Sequence, residues 1–417
     1  MSKLDYFHSV RIIEDRCNGC THCIRTCATE AIRVRNGKAT IRDIRCIDCG
    51  ECIRICPRQA VSVACDPLSS IKKFKYTIAL PSTVFATQLP DQHNLNKLFN
   101  GLLRLGFDEV FEEAHANPII SYAVNRFLKE KAEFRPYISS VCPAIVRLVQ
   151  VRFPSLVEHI LPIESPVDIA ARIIRNKKVK ELNLRSNQIG IFYITPCPAR
   201  STATKQPEGT RFSNVDGTIA MNEIISKLLL IMDNIKKQEK IVKAPQSALR
   251  WAASGEEMNK SDTFNALSVD GIKNVVQILN KIENNELGNF DFIEAYACPC
   301  GCVGGVLNIE NAYVAKHRVF IKSKKKEIIK SKDISIIAKK LYEKGEIFLE
   351  QRVEPRPVLK LDRDMRKAIQ KLEKLERILD NLPGIDCGAC GSPTCRALAE
   401  DIVQDKAKIT DCLFIRR

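Results

Sequence analysis

Cysteine is the residue whose number and spacing in this sequence indicate chemistry. The 417 residues include 18 cysteines, and most of them fall in short runs with the close spacing of metal ligands. No stretch has the pattern of a signal peptide, and no apolar run is long enough to span a bilayer, so we expect a cytoplasmic protein. Because the cytosol keeps thiols reduced, metal binding is favoured over a disulfide framework.

Two of these runs repeat one another near the start of the chain. Residues 16–27 read RCNGCTHCIRTC and residues 45–56 read RCIDCGECIRIC, with every cysteine in register at an interval of 29 residues. Each run has the spacing C-x2-C-x2-C-x3-C, and Pro57 follows the second. This pattern is typical of bacterial ferredoxins with two clusters, in which the fourth cysteine binds the other cluster.

The resemblance to two-cluster 4Fe-4S ferredoxin domains implies two sets of ligands. They are Cys17, Cys20, Cys23 and Cys56 for one cluster, and Cys46, Cys49, Cys52 and Cys27 for the other. Structural zinc is a weaker alternative, because the two sets are pseudo-symmetric and contain no histidine. Cys65 lies outside the pattern and is expected to be a small buried side chain.

The central part of the chain, from about 74 to 313, alternates apolar runs with helical patterns. We expect an α/β domain with parallel strands. Cys142, Cys197 and Cys298 each follow a strand-like run and precede a proline. Since ligands of open α/β sheets bind beyond the carboxyl ends of the strands, these three cysteines are expected to meet in space.

The segments that carry these cysteines resemble the catalytic domain of iron-only hydrogenases. That family has motifs close to TSCCP, MPC-x-x-K and E-x-MAC-x-x-x-C-x-x-GG, and the present chain has SSVCP, TPCPAR and EAYACPCGCVGG. The resemblance implies two α/β lobes over a 4Fe-4S cluster that carries a two-iron unit with CO and CN ligands. The four cluster cysteines correspond to Cys142, Cys197, Cys298 and Cys302.

The chain departs from the family at positions that line the two-iron pocket. Val141 replaces the cysteine that shuttles protons and has no exchangeable proton of its own. Arg200 replaces the lysine that holds a cyanide, and a planar guanidinium does not substitute for a compact ammonium. Thr195 and Tyr296 replace methionines, and Cys300 replaces a glycine. We therefore expect the 4Fe-4S cluster to be retained and the two-iron unit to be absent.

Cys300 allows three interpretations. It is a spare thiol, a substitute ligand that exchanges with Cys302, or a redox-reactive thiol beside the cluster, and its reactivity depends on exposure and thiolate character. We treat it as a candidate redox residue, and no catalytic residue is otherwise assigned.

The carboxyl-terminal part contains a helical pattern and a further cysteine run. Leucines and related residues recur with helical spacing from Leu361 to Leu382, and the helix is expected to pack on its own domain. EPRPV at 354–358 reads as a linker or domain edge. Residues 382–412 resemble a small C-terminal 4Fe-4S domain with the pattern C-x2-C-x4-C and a distant fourth cysteine. Its ligands would be Cys387, Cys390, Cys395 and Cys412.

The chain has 65 basic and 49 acidic side chains, which give a formal net charge of +16. The basic residues are dispersed, apart from a run at 322–326, and no nucleic-acid motif accompanies them, so a solvated basic surface is the simpler interpretation. A basic surface also steers acidic redox partners. We see no Rossmann fingerprint and no phosphate-binding loop, so the known motifs give nucleotide cofactors no support.

These observations lead to one overall prediction. The chain is an α/β protein with a ferredoxin-like module (1–70), a two-lobed hydrogenase-type domain (71–345), and a linker helix with a small helical Fe-S domain (346–417). It carries four 4Fe-4S clusters and serves electron transfer or redox sensing, as suits anaerobic life. Its partner would be a ferredoxin, a hydrogenase complex or a signalling protein. The alternatives are an active iron-only hydrogenase and an iron–sulfur cluster assembly factor.

Overall fold

The structure is a computed structural model. It describes residues 6–90, 94–131, 133–235, 239–242, 244–257, 264–324, 331–358, 361–362 and 364–415. No helix within these ranges is both long and apolar enough to cross a bilayer.

The amino-terminal module consists of short elements arranged with internal symmetry. In chain order they are β1 (Val10–Ile12), α1 (His22–Thr26), β2 (Ile32–Arg35), β3 (Lys38–Ile41), α2 (Glu51–Ile55) and β4 (Val61–Val63). β1 pairs with β4 and β2 pairs with β3, both in antiparallel fashion. In the sequence, α1 lies between β1 and β2, and α2 lies between β3 and β4. This is the expected ferredoxin-type module.

The central domain follows with seven strands and nine helices among the described residues. In chain order they are β5 (Tyr76–Pro81), α3 (Leu95–Arg104), β6 (Glu109–Val110), α4 (Asn117–Glu130), β7 (Tyr137–Ile138), α5 (Pro143–Arg152), α6 (Pro166–Leu182), β8 (Ile189–Thr195), α7 (Pro198–Lys205), β9 (Gly217–Ala220), α8 (Met221–Ile231), β10 (Ala266–Asp270), α9 (Ile272–Glu283), β11 (Phe292–Tyr296), α10 (Ala312–Ser323) and α11 (Ser331–Glu343).

These strands form two parallel sheets, one in each lobe. The first has the order β6-β5-β8-β9 and the second β10-β11-β7. Every residue of β8 is buried, as expected for a strand covered by helices on both faces. Ile191 and Tyr193 pack in one apolar core, whereas Phe192 and Ile194 pack in another, so alternate side chains serve opposite faces.

The segment predicted as a linker or domain edge, residues 354–358, is anchored to the rest of the protein. Arg356 is only 4% exposed, and its Nη2 donates to Glu208 Oε1 at 2.9 Å. Its guanidinium also lies 4.8 Å from the centre of the Tyr6 ring. Lys322 of the basic run donates to the carbonyl of Ala86, while positions 325 and 326 of that run lie outside the described residues.

Two helices, α12 (Met365–Asp380) and α13 (Cys395–Val403), form the carboxyl-terminal module. α12 is shorter than predicted, since Leu361 precedes it and Leu382 follows it. Leu375 and Leu382 are buried against α13, as expected for packing within the module. Met365 and Ile369, at 76% and 51% exposure, are not covered. Only part of the apolar face predicted for this helix is therefore buried against the rest of the module.

Candidate iron–sulfur sites

The sequence repeat of the amino-terminal module is also a repeat of its backbone. Gly19 and Thr21 adopt left-handed conformations with φ of 71° and 66°, and Asp48 and Gly50, each 29 residues later, do the same with φ of 55° and 83°. Such turns are rare for residues other than glycine, asparagine and aspartate. Their recurrence at matching positions shows that the two cysteine runs fold alike.

The first predicted ligand set lies around one cavity. This cavity is lined by the four cysteines Cys17, Cys20, Cys23 and Cys56, together with apolar residues that include Val34, Ala39 and Val61. The fourth cysteine comes from the second run, as the crossed ferredoxin arrangement requires. Ala60 N donates to Cys56 Sγ at 3.3 Å.

The second predicted set surrounds a separate cavity. Its lining contains Cys27, Cys46, Cys49 and Cys52. Ala31 N donates to Cys27 Sγ at 3.2 Å, which is the counterpart, 29 residues earlier, of the bond to Cys56. N–H···S bonds of this kind stabilise negative charge on sulfur and thereby tune a cluster.

The pKa shifts of these thiols indicate which kind of group the two cavities could bind. Burial, followed by the charges of Cys49 and Cys27, raises the pKa of Cys52 well above its ordinary value. Burial likewise raises the pKa of Cys46, with Asp48 adding to the effect. Thiols packed this closely become thiolates only when a cation lies among them. Iron supplies that charge, so the donor set fits iron–sulfur clusters.

The central cysteines lie where strands end and helices begin. Cys142 is the N-cap of α5, and Cys197 is the N-cap of α7 directly after β8. Cys298 follows β11, and Cys302 opens a single 3-10 turn. Strand ends from both sheets therefore bring these cysteines to the cleft between the lobes, as predicted from their spacing.

The four central thiols interact with one another electrostatically. Burial, followed by the charges of Cys142 and Cys197, raises the pKa of Cys302 well above its ordinary value, and Cys298 adds a smaller effect. Cys298 is affected in the same way by burial, Cys197 and Cys142. This apolar, four-thiol environment also fits an iron–sulfur cluster better than free thiols.

Cys300 has different neighbours. Its side chain is 6% exposed and packs with Val84, Ala252 and Val319 in a small apolar cluster next to α10, and Cys302 packs against the edge of this cluster. Burial raises the pKa of this thiol, and the charged groups near it are Lys316 and Asp270. These surroundings favour the spare-thiol interpretation over a ligand that exchanges with Cys302.

Arg200, at the position of the family's lysine, is bound by other parts of the chain. Its Nη1 donates to Ser165 Oγ at 2.9 Å, its Nη2 donates to the Val141 carbonyl at 2.9 Å, and Asp168 lies 3.5 Å away. Arg200 is 9% exposed. Each of its terminal nitrogens therefore already has a protein partner.

The two positions at which the family has methionines are both buried. Thr195 is fully buried, and its hydroxyl donates to the Cys197 carbonyl at 2.9 Å. Tyr296 is 2% exposed, and its hydroxyl has no hydrogen-bond partner in the described part of the chain.

The carboxyl-terminal cysteines gather at the start of α13. Cys390, Cys395 and Cys412 pack on an apolar cluster that includes Leu375 and Leu398. Burial raises the pKa of Cys390, and Cys387 and Cys412 contribute through their charges. All four predicted ligands of this module are therefore close to one another.

This small module docks on the ferredoxin-like module through buried charges that the sequence analysis missed. Asp401 is 1% exposed and accepts from Arg33 Nε at 2.7 Å, from Arg35 Nη2 at 3.0 Å and from Arg42. The neighbouring Glu400 accepts from Arg45 Nη2 at 2.7 Å. The sequence contains only a weak indication of this contact. The acidic pair Glu400 and Asp401 follows the carboxyl-terminal cysteine run, and several arginines lie between the two amino-terminal cysteine runs.

Backbone contact accompanies these ion pairs. Val34 N donates to Gly391 O at 2.8 Å. A Cβ atom on Gly391 would lie 1.9 Å from the Val34 carbonyl oxygen, and Gly391 has a φ of 79°, so only glycine fits there. The cysteine loop of the small module thus lies directly on β2.

Comparison with known proteins agrees with this architecture. The family model described as the iron only hydrogenase large subunit, C-terminal domain, matches residues 75–248 and 227–306, more than half of the chain. The chain belongs to this family. A 4Fe-4S dicluster domain model matches residues 16–61, and a model of a small Fe-S cluster domain matches residues 382–414. This is a hydrogenase-like iron–sulfur protein.

Two curated relatives are hydrogenase subunits. The NADP-reducing hydrogenase subunit HndD of Solidesulfovibrio fructosivorans is 26% identical over 263 residues, which cover 50% of this chain and only 44% of HndD. The periplasmic Fe hydrogenase large subunit of Nitratidesulfovibrio vulgaris is 26% identical over 364 residues, which cover 72% of this chain and 86% of that subunit.

Solved hydrogenase structures share the fold. A structure describing stepwise FeFe-hydrogenase H-cluster assembly in HydA superposes with a TM-score of 0.54 at 15% identity. A variant of HydA1 from Chlamydomonas reinhardtii gives a TM-score of 0.53 at 15% identity. Each match covers 69% of this chain and 98% of the other. At this identity the likeness concerns the fold alone.

Proposed function

We propose that this hydrogenase-like protein conducts electrons along a row of four 4Fe-4S clusters and does not activate hydrogen. The observation that carries the proposal is the order in which the four cysteine groups contact one another. The carboxyl-terminal group lies against the first ferredoxin group, and the second ferredoxin group lies against the central one. The ligands of the four clusters are those predicted from the sequence.

The first link joins the carboxyl-terminal module to the first ferredoxin cavity. Val34 lines that cavity and bonds to Gly391 in the carboxyl-terminal cysteine loop. Arg35 Nη1 donates to the Cys390 carbonyl at 2.9 Å, and Arg25 Nη2 donates to the Cys387 carbonyl at 3.3 Å. A single layer of protein therefore separates the two predicted clusters.

The second link lies within the ferredoxin-like module. Cys23, from the first set, and Cys52, from the second, pack against the same apolar cluster, which includes Ile24 and Ile32. The crossed arrangement of the fourth cysteines also ties the two cavities together.

The third link joins the second ferredoxin group to the central group. Arg54 Nη2, on α2, donates at 2.7 Å to the carbonyl of Gly304, which lies two residues after Cys302. A Cβ atom on Gly50 would lie 2.8 Å from a methyl carbon of Val306, so the two loops are in close contact. The charge of Cys49 contributes to the raised pKa of Cys298, although less than burial, Cys197 and Cys142 do.

The residues at the two-iron pocket do not fit the family's two-iron unit. The guanidinium that would face a cyanide is held by Ser165 and the Val141 carbonyl, and Val141 itself offers no proton. We therefore assign no step to that unit. Electron transfer or redox sensing needs only the clusters, and the electrons would be exchanged with a ferredoxin, a hydrogenase complex or a signalling protein.

Infrared spectroscopy of protein produced anaerobically with the hydrogenase maturation machinery tests this proposal. We expect no CO or CN stretching bands, no hydrogen uptake, and about sixteen irons per chain, since each of four clusters holds four. CO and CN bands together with hydrogen turnover would establish an active hydrogenase instead. Ready transfer of clusters to an apo-ferredoxin would favour an assembly factor.

A further inference from the structure

A group of buried polar side chains lies beside the central cysteines and has no part in holding a cluster. Glu294 projects from β11 and Glu257 from the loop after a 3-10 helix, and they are 3% and 0% exposed. Ser139, just beyond β7, is 1% exposed. The group therefore lies in the interior, near the carboxyl ends of two adjacent strands.

The two carboxylates are satisfied by neutral donors. Ser139 Oγ lies 2.8 and 2.7 Å from the two oxygens of Glu257 and donates to that carboxylate. Glu294 accepts from the backbone nitrogens of Gly255 at 2.9 Å and of Glu256 and Glu257 at 3.3 Å. Neither carboxylate has a lysine or arginine partner among the described residues.

Two buried carboxylates without a cation do not both ionise easily. Burial, and then the charge of Glu294, raises the pKa of Glu257 well above its ordinary value. Burial raises the pKa of Glu294 to about 7, against the opposing effect of the backbone N–H groups. Because the two groups interact, the protons belong to the pair, which holds at least one of them at neutral pH.

Two short segments of the chain connect this pair with the central cysteines. Ser139 Oγ, which donates to Glu257, accepts from the backbone nitrogen of Val141 at 3.3 Å, and Cys142 is the next residue. Glu294 lies on β11, and Cys298, four residues later, follows that strand. Negative charge added at the central site would therefore act on the pair through a buried interior, where charges interact more strongly than in water.

We propose that the Glu257–Glu294 pair is a proton-binding site coupled to reduction of the central cluster. The inference rests on the proposed function, because it requires a cluster at the four central cysteines. A low-potential one-electron donor supplies an electron to the oxidised cluster, and solvent supplies a proton to the pair. The products are the reduced cluster and the pair with one more carboxyl O–H bond, and oxidation releases both the electron and the proton.

Redox titration of the whole protein at several pH values, followed by electron paramagnetic resonance, tests this coupling. We expect the equilibrium constant for reduction of the central cluster to fall tenfold per pH unit around neutral pH, which corresponds to about 59 mV. In the double variant Glu257→Gln, Glu294→Gln the potential should not depend on pH. In Glu257→Gln alone, the dependence should remain near neutral pH, because burial raises the pKa of Glu294 to about 7 and Glu257 is the group that already holds a proton there.

Glu256→Gln is the matched control. Glu256 is adjacent in sequence and 8% exposed, but its carboxylate is paired with Arg250 at 2.8 and 3.0 Å. The tenfold change per pH unit should be retained in this variant, and the pH range over which it occurs should move slightly lower, because the charge of Glu256 helps to raise the pKa of Glu294. Glu113 is a separate buried carboxylate whose charge helps to raise the pKa of Cys302. A pH dependence of the potential that is lost in Glu113→Gln but kept in the double variant would overturn the assignment.

An infrared difference spectrum of the wild-type protein tests, without any substitution, whether reduction is accompanied by protonation of a carboxylate. Reduction should produce a new protonated-carboxyl C=O band that shifts in deuterium oxide. A potential independent of pH and no such band would overturn the inference while leaving the relay intact. The absence of any central-cluster signal would instead overturn the proposed function itself.

Discussion

Replacing Asp401 by asparagine should release the carboxyl-terminal module from the ferredoxin-like module. The aspartate accepts from three arginines, of which Arg33 is the most enclosed, with 4% of its side chain exposed. Arg35 and Arg42 are 27% and 19% exposed and can turn toward water. The variant keeps the volume of the side chain and one acceptor oxygen but leaves the Arg33 guanidinium buried without a counter-charge.

The size of the effect follows from that uncompensated charge. Removing one partner of a buried ion pair typically costs about 3–5 kcal/mol. Because asparagine retains an acceptor and two of the arginines can rehydrate, we expect the lower end, about 3 kcal/mol. At 1.4 kcal/mol per factor of ten, the docking equilibrium should weaken by roughly 100-fold.

Hydrogen exchange measured by mass spectrometry reports this change directly. The Val34 amide is protected by its bond to Gly391, so peptides that cover β2 should exchange roughly 100-fold faster in the variant. Iron content should stay close to that of the wild type, which distinguishes undocking from unfolding. Asp405→Asn is the control, since Asp405 is exposed and asparagine tolerates its φ of 58°. Unchanged exchange in Asp401→Asn would refute the reasoning.

Three further predictions address the individual sites. Cys298→Ser should lower the iron content by about four atoms per chain, whereas Cys300→Ser should leave it unchanged; equal losses would restore Cys300 as a ligand. Gly391→Ala should accelerate exchange in β2 as Asp401→Asn does, because its Cβ would collide with a β2 carbonyl; normal exchange would show that the loop is not docked there. Burial raises the pKa of Glu164 from 4.5 to about 7, against the pull of Arg172. The folded chain therefore binds an extra proton between these values, and this contribution to stability is lost as pH rises. Glu164→Gln should flatten the fall in melting temperature over that range, and an unchanged slope would contradict the assignment.

The sequence was sufficient for features that depend on local spacing. The 29-residue interval between cysteine runs predicted a backbone repeat, and the structure has it in the left-handed turns at Gly19 and Asp48. The position of Cys142 and Cys197 after apolar runs predicted that they would follow strands. Such features follow from a few adjacent residues, because turns and strand ends are determined locally.

Features that depend on distant partners were not predictable. Asp401 and Arg33 are 368 residues apart, and neither has a local pattern that distinguishes it from a surface charge. The burial of Arg356 was not predictable for the same reason, because its partner Glu208 lies far away in the sequence. Glu257 belongs to no motif and acquires its character only when β11 brings Glu294 beside it.

The docking of the carboxyl-terminal module on the ferredoxin-like module also constrains how the protein is made. Arg33 and Arg45 precede the carboxylates that neutralise them by 368 and 355 residues. Domains generally begin to fold in the order of synthesis, so the charged surface of the ferredoxin-like module stays uncovered until Glu400 and Asp401 have been synthesised. A nascent chain that stops before these two residues leaves that surface exposed.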